Sequence, residues 1–152
     1  VTLTGSRVLP LGTVIDATNG VVRLITALDT RGKTQTVTVW GGVFKITQRR
    51  HGNGLTQIHL TGALPRCSKA QRARAASRSS HKSRKLWAKD NHGRYSTHGA
   101  NSVATVLGTE WETIDSCAGT RTRVVHGKVK VRDKHRHTTV LVRAGHSYLA
   151  RR

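Results

Sequence analysis

Short segments in which apolar and polar residues alternate, separated by turn signals, run through the first 62 residues. The clearest spans residues 34–40, where Val37 and Val39 fall on one side of an extended chain. The dipeptides Asn19-Gly20 and Gly41-Gly42 are typical of tight turns. The pattern predicts strands at residues 13–17, 21–28, 34–40, 43–48 and 55–62. The apolar residues predicted to face the core here are Val37, Val39, Phe44, Ile46, Ile58 and Leu60.

The last third of the chain predicts five further strands, at residues 103–107, 109–115, 120–125, 128–133 and 138–143. The two-residue connection His126-Gly127 predicts a hairpin that sets Val124 opposite Val129. The next connection, residues 134–137, sets Val129 opposite Val142. Both turns place the apolar residues on one face, which predicts a three-stranded antiparallel meander. The predicted apolar face consists of Val124, Val129, Val131, Val140 and Val142.

The middle of the chain interrupts this pattern. Residues 66–89 contain nine Lys or Arg and almost no large apolar side chains, and residues 69–77 have the composition of a short helix without an apolar stripe. The sequence therefore predicts one all-β domain over residues 1–152, an antiparallel β-sandwich or β-roll. A long basic insertion, residues 66–98, separates its two halves.

Charge changes the picture from fold to function. The chain has 27 Lys and Arg against seven Asp and Glu, a formal net charge of +20. Such an excess indicates an anionic partner: nucleic acid, acidic polysaccharide, cell-wall polymer or an anionic membrane surface. The alternative is that the charge serves solubility alone, although solubility needs far less of it.

The predicted meander carries a basic stripe on its outer face. Its register sets three like-charge pairs opposite each other: Arg121 and Arg132, Arg123 and Lys130, and Lys128 and Arg143. Like charges directly across strands destabilise a sheet, and internal neutralisation is limited because the whole chain has seven acids. The stripe predicts polyanion binding, with simple exposure to solvent as the alternative. The polyanion-binding candidates are Arg121, Arg123, Lys128, Lys130, Arg132 and Arg143 in the stripe, and Arg72, Arg74, Arg78, Lys82, Arg84 and Lys85 in the insertion.

Two aromatic residues, Trp87 and Tyr95, lie beside basic residues and are candidates for stacking on bases or sugar rings. The alternative places both in the core. Cys67 and Cys117 are far apart and lack a C-x-x-C spacing, so a structural disulfide is favoured over a redox or metal site, with two buried thiols as the alternative. A bridge would contribute on the order of 4 kcal/mol and implies an oxidising compartment.

Catalytic signatures are absent from the sequence: there is no G-x-S-x-G, no phosphate-binding loop and no dinucleotide fingerprint. Glu110 and Glu112 share one side of a strand at a spacing compatible with glycoside hydrolysis, but a solvated strand face or a counter-charge for the stripe is favoured. His135 and His137 have a metal-ligand spacing without a following acid. The sequence predicts no enzyme, no cofactor and no metal.

The stretch from Ala104 to Glu112, ATVLGTEWE, resembles the FecR-like domain, which is marked by an apolar strand, then Gly-Thr, then an acidic-aromatic strand. The Gly-x-Val-x-Val strand and Ala-Gly turn that follow in that family correspond to residues 127–131 and to Ala144-Gly145. Residues 13–48 resemble the family's first half, where a Gly-Thr strand precedes a Gly-x-Phe-x-Ile strand. The segment 66–89 departs from the family.

This resemblance implies an extracytoplasmic antiparallel β-sandwich or β-roll of bacterial secreted or surface type, with no catalytic residues. Three hypotheses follow. The first is a non-enzymatic extracellular or cell-surface domain that binds a nucleic acid, cell-wall polymer or acidic glycan. The second is a FecR-type protein-interaction or sensing module. The third is a structural subunit of an extracellular assembly.

Overall fold

The computed structural model describes residues 4–64, 67–68, 70 and 83–152, and within these ranges the chain is all-β. The strands are β1 (Val14–Asp16), β2 (Val21–Ala27), β3 (Thr34–Trp40), β4 (Val43–Gln48), β5 (Thr56–Leu60), β6 (Arg84–Asp90), β7 (Tyr95–His98), β8 (Ser102–Val106), β9 (Glu110–Ser116), β10 (Gly119–His126), β11 (Lys128–Asp133), β12 (Thr139–Arg143) and β13 (Ser147–Arg151). In the described part of the chain, no helix has the length and apolarity needed to cross a membrane.

The strands form two sheets. One has seven strands in the order β1-β4-β5-β7-β8-β11-β12, and its neighbours are antiparallel except for β5 and β7, which run parallel. The other has six antiparallel strands in the order β13-β10-β9-β6-β3-β2. We refer to them as the seven-stranded and six-stranded sheets.

The core lies between the two sheets, as the alternation along each strand predicts. Val37 and Val39 are fully buried from the six-stranded sheet, and Phe44 and Ile58 are fully buried from the seven-stranded sheet. Trp111 fills the centre and donates its indole N–H to the Thr97 hydroxyl at 2.9 Å. The predicted sandwich-like all-β fold and its inward-facing residues are confirmed. The side chains at alternate positions therefore form two outer faces.

The predicted meander is half correct. Its second hairpin is confirmed in register, because Val131 pairs with Val140 and Val129 pairs with Val142 across β11 and β12. Its first hairpin is wrong, since β10 pairs with β9 and β13, whereas β11 pairs with β8 and β12. Both hydrogen-bonding edges of β10 are thus occupied within the six-stranded sheet.

The turn at Gly127 carries the chain from one sheet to the other. Gly127 has φ +73°, and a Cβ there would lie 2.3 Å from the Gly108 carbonyl oxygen, so this close approach requires glycine. Val124 and Val129 do face the same core, but from opposite sheets. A two-residue turn therefore joins two layers here, rather than two paired strands.

The proposed insertion does not extend to residue 98, because β6 and β7 lie within it and are interior strands of the two sheets. Leu86 and Ala88 of β6 are buried in the core, and their outward neighbours on the strand are polar or aromatic. Only two apolar residues face inward from β6, which is why the segment reads as a loop in the sequence. The strand β13 was not predicted either. The proposed helix at 69–77 lies outside the described residues, apart from Ala70.

The predicted disulfide is present between Cys67 and Cys117, with Cα atoms 5.5 Å apart. Cys117 is buried in the short connection between β9 and β10. The bridge therefore ties the segment between β5 and β6 to the β9–β10 connection of the six-stranded sheet.

Candidate functional site

The predicted basic stripe is divided between the two outer faces of the sandwich. Lys128, Lys130 and Arg132 point outward from β11, and Arg143 points outward from β12, all exposed on the seven-stranded sheet. Arg121 and Arg123 point outward from β10 on the opposite side of the molecule. Of the predicted like-charge pairs, Lys128 opposite Arg143 is confirmed, but Arg121 does not meet Arg132, nor does Arg123 meet Lys130.

We call Lys128, Lys130, Arg132 and Arg143 the cationic face. Along β11 these side chains alternate with buried valines, so neighbours on the outer side are separated by roughly 6.7 Å. Among the described residues, none of the four lies within 4.0 Å of a carboxylate. They are presented on a rigid sheet without internal neutralisation.

The acids that could neutralise this face are engaged elsewhere, and all seven lie within the described ranges. Asp115 and Asp133 are fully buried. Asp115 accepts hydrogen bonds from Arg84 and from the Ala100 N–H, and Asp133 accepts them from Tyr148 and two N–H groups of the following turn. Asp90 is 9% exposed and accepts from the N–H groups of Gly93 and Thr109.

The remaining acids are also occupied. Asp16 and Asp29 accept N–H groups of their own turns. Asp16 points outward from the edge strand β1, but five strand positions separate β1 from β11, a distance of about 24 Å. Glu110 and Glu112 lie on the six-stranded sheet. The outward positions beside the cationic face thus hold no carboxylate in the described chain, because Asp133 of β11 faces inward and is buried.

The six-stranded sheet presents a different outer face. The Arg123 guanidinium lies 3.7 Å from a Glu112 carboxylate oxygen, and Lys89 Nζ lies 3.5 Å from Glu110. The carboxylate pair on β9 therefore serves as internal counter-charge, one of the roles expected from the sequence. Burial raises the pKa of Glu112, while the nearby cations Arg123 and Lys85 lower it.

Trp87 forms the middle of a ladder on this same face. Its ring is stacked on Trp40 with centroids 5.9 Å apart and planes 8° apart, and the Arg123 guanidinium lies over it at 5.3 Å. Trp40 lies directly beside Trp87 on β3, whereas Arg123 reaches over the ring from β10, which lies beyond β9 on the other side of β6. Both faces of the Trp87 ring are therefore covered, which disfavours the predicted stacking on a base or sugar.

Tyr95 is not an exposed aromatic. It is fully buried in the core, where burial raises its pKa to about 12. Arg84 is also committed: it donates from Nε to Asp115 at 2.9 Å and from Nη1 to the Gly62 carbonyl at 2.8 Å. Lys85 is exposed on the outer face of β6. The candidates Arg72, Arg74, Arg78 and Lys82 lie outside the described residues.

A histidine pair that the sequence does not predict lies on the outer face of the seven-stranded sheet. His59 of β5 lies directly beside His98 of β7, with ring centroids 4.5 Å apart. The alternation along β5 did predict an outward His59, but β7 was not recognised as a strand. The parallel pairing of β5 with β7 brings the two rings together, and no local sequence signal indicates such a pairing.

The His-x-His motif does not form a metal centre with its neighbours. His135 Nε2 lies 3.0 Å from the Asn101 side-chain oxygen. Within the described ranges, no group of three or more His, Cys, Asp or Glu residues is arranged to hold a metal ion.

No protein-family model matches the chain, and neither curated proteins nor solved structures contain a significant match.

Proposed function

We propose that this domain binds an anionic polymer, namely a nucleic acid, a cell-wall polymer or an acidic glycan, through the cationic face, without catalysing a reaction. The observation that carries the proposal is the imbalance of that face. Four exposed cations share it, while all seven acids of the chain are engaged elsewhere. An external polyanion would supply the missing counter-charge.

The geometry suits a repeating anion better than a single small one. Lys128, Lys130 and Arg132 form a row along β11, and Lys128 faces Arg143 across the hairpin. Contacts of this kind release counterions from the polymer, so affinity falls steeply with salt. Four contacts correspond to a log–log slope of about −3.

The disulfide supports an oxidising location for this activity. Together with the FecR-like motifs, it supports a secreted or cell-surface domain. The FecR-like motifs thus support the proposed location, and the charge distribution supports the proposed class of ligand.

Binding to labelled single-stranded DNA, double-stranded DNA and heparin across a salt series tests the proposal. We expect saturable binding to at least one of them at 50 mM salt, with a steep negative slope, and the order of affinities indicates the class of polymer. Absence of binding at low salt, or an affinity insensitive to salt, would contradict it.

A second candidate function, self-assembly into an extracellular structure, is favoured by the open edge of the six-stranded sheet. The edge strand β2 presents Val21 at 70% and Ile25 at 65% exposure. Apolar edges of this length are templates for pairing with another chain. Light scattering with and without heparin tests this function, since a polyanion would relieve the repulsion between copies. Monomers in both conditions would exclude it.

A further inference from the structure

The histidine pair lies in the middle of the outer face of the seven-stranded sheet. The register places Lys45, His59, His98, Val103 and Arg132 in one row across five neighbouring strands. The pair is therefore continuous with the cationic face and separated from it only by β8. Both rings are partly exposed.

One nitrogen of each ring is bonded to a hydroxyl of the same sheet. His59 Nε2 lies 2.8 Å from the Thr47 hydroxyl, and His98 Nε2 lies 3.0 Å from the Ser96 hydroxyl. Ser96 is 1% exposed, so its position is fixed by the sheet. These bonds orient both rings and leave the second nitrogen of each without a hydrogen-bond partner in the described part of the chain.

The charged groups around the pair are all cationic. Lys45 and Arg49 belong to β4 and the segment that follows it, Lys130 and Arg132 belong to β11, and Lys134 follows β11. The outward residues of β7 and β8 nearest the pair, Ser96, Val103 and Thr105, carry no charge. The charged groups that lower the pKa of these rings are Lys45 and Lys134 for His59, and His59, Lys134 and Arg49 for His98.

This environment selects against a metal ion. Two imidazoles provide half of a tetrahedral ligand set, and no third His, Cys, Asp or Glu joins them within the described residues. The surrounding lysines and arginines repel a divalent cation and attract an anion. A merely structural role does not explain why two bases are placed together among cations.

We propose that His59, His98 and Lys45 form a proton-dependent oxyanion subsite, which takes a sulfate or phosphate ester group of the polymer that contacts the cationic face. This inference rests on the proposed function and adds to it a specific binding site for one ester group of the polymer. Protonated imidazoles donate two further N–H groups to the ester oxygens, and the ester charge offsets the repulsion between the two rings.

The free protein holds the pair neutral near pH 7. Burial, followed by the charges of His59, Lys134 and Arg49, lowers the pKa of His98 to about 4. Burial, Lys45 and Lys134 also lower the pKa of His59. A bound oxyanion favours the charged imidazole and raises these pKa values. Binding therefore takes up protons, and affinity increases as the pH falls below about 6.5.

The test measures binding to dextran sulfate and to oligo(dT) from pH 8 to pH 5, because neither polymer changes its charge over that range. We expect the wild-type affinity to rise about tenfold more than that of the variant His59→Gln/His98→Gln, which corresponds to a rise of about two units in the pKa of His98 on binding. The control His126→Gln/His146→Gln, altered at exposed histidines outside the pair, should keep the wild-type pH dependence. A larger rise with one polymer distinguishes sulfate from phosphate esters.

Proton NMR of the imidazole C–H signals provides a second readout on the unaltered protein. We expect the pKa of His98 to rise by about two units when dextran sulfate is added. Salt-dependent binding at pH 8, with a pH dependence that survives the double variant, would overturn this subsite and leave the proposed function intact. Absence of binding at every pH would overturn both.

Discussion

The two outer faces of the sandwich carry similar numbers of cations but differ in whether carboxylates lie beside them. On the six-stranded sheet, Arg123 lies beside Glu112 and over Trp87, and Lys89 lies beside Glu110. On the seven-stranded sheet, the four residues of the cationic face have no acidic partner among the described residues. The difference arises from one strand, because β9 supplies the two glutamates that lie beside Lys89 and Arg123, whereas Lys85 and Arg121 on this face have no carboxylate within 4.0 Å among the described residues.

This contrast shows that net charge alone does not locate a binding surface. A formal +20 spreads over the whole molecule, but three of the acids are buried within strands, two bond N–H groups of exposed turns, and two lie on the outer face of the six-stranded sheet. Within the described chain, the residues of the cationic face differ from Lys89 and Arg123 of the six-stranded sheet because they have no carboxylate beside them, and not because one face carries more cations. The two faces can therefore be tested against each other with equal changes of charge.

The largest effect is expected from neutralising the cationic face. The variant Lys130→Gln/Arg132→Gln/Arg143→Gln removes three polymer contacts, so affinity at 0.1 M salt should fall on the order of 100-fold. The log–log salt slope should fall in magnitude by about 2. Fluorescence anisotropy with the best-binding polymer measures both quantities.

The matched control is Arg23→Gln/Lys33→Gln/Arg121→Gln, which removes the same charge from exposed positions away from the cationic face. Its affinity should fall only severalfold, because it changes the long-range potential without removing contacts. Equal losses in the two variants would mean that binding follows net charge, and the distinction between the faces would have no functional meaning.

The next effect concerns the tryptophan ladder. Trp87→Ala removes a half-buried ring that stacks on Trp40 and supports Arg123, so the free energy of unfolding should fall by about 2 kcal/mol. Affinity for the polymer should change less than twofold, because both ring faces are already covered. Denaturant unfolding and binding isotherms on one preparation separate the two effects. A large loss of affinity with stability unchanged would restore the role of stacking platform to Trp87.

A smaller effect is expected from pH. The pKa of His98 is about 4 in the folded protein and about 6.5 in the unfolded chain, so the unfolded state takes up the proton first. Stability is full above pH 6.5 and declines as the pH falls toward 4. Because the ring is only half buried, we expect a loss of about 1 kcal/mol. Unfolding of the wild type and of His98→Gln at pH 7 and pH 4.5 should show a smaller decline in the variant.

The strands with regular alternation could be predicted from the sequence. The bounds of β3, β4 and β11 are the same in the prediction and the structure, and the register of β11 on β12 follows from counting across one turn. The sequence failed at β6 and β7, where short strands have few apolar residues but are placed in sheet interiors by their neighbours. Local pattern does not contain that tertiary information.

The candidate site shows the same limit. Four of the six residues of the predicted stripe share one face, since β11 and β12 pair as counted. The other two were assigned to the wrong face, because a two-residue turn looks the same whether it joins paired strands or two layers. The His59–His98 contact depends on the parallel pairing of β5 with β7, strands more than 30 residues apart. Pairings of such long range are set by the whole sheet rather than by the residues near each strand.

The smallest effect is expected from removing the carboxylate beside Arg123 on the six-stranded sheet. Glu112→Gln removes the partner of Arg123, but the loss of stability should be about 0.5 kcal/mol, because Arg123 is more than half exposed and burial already disfavours the Glu112 charge. The salt slope of polymer binding should grow by less than one, since a single free cation adds at most one contact. Added to the variant Lys130→Gln/Arg132→Gln/Arg143→Gln, Glu112→Gln should restore little affinity. A tenfold gain there would mean that the six-stranded sheet binds the polymer and that its glutamates restrain it.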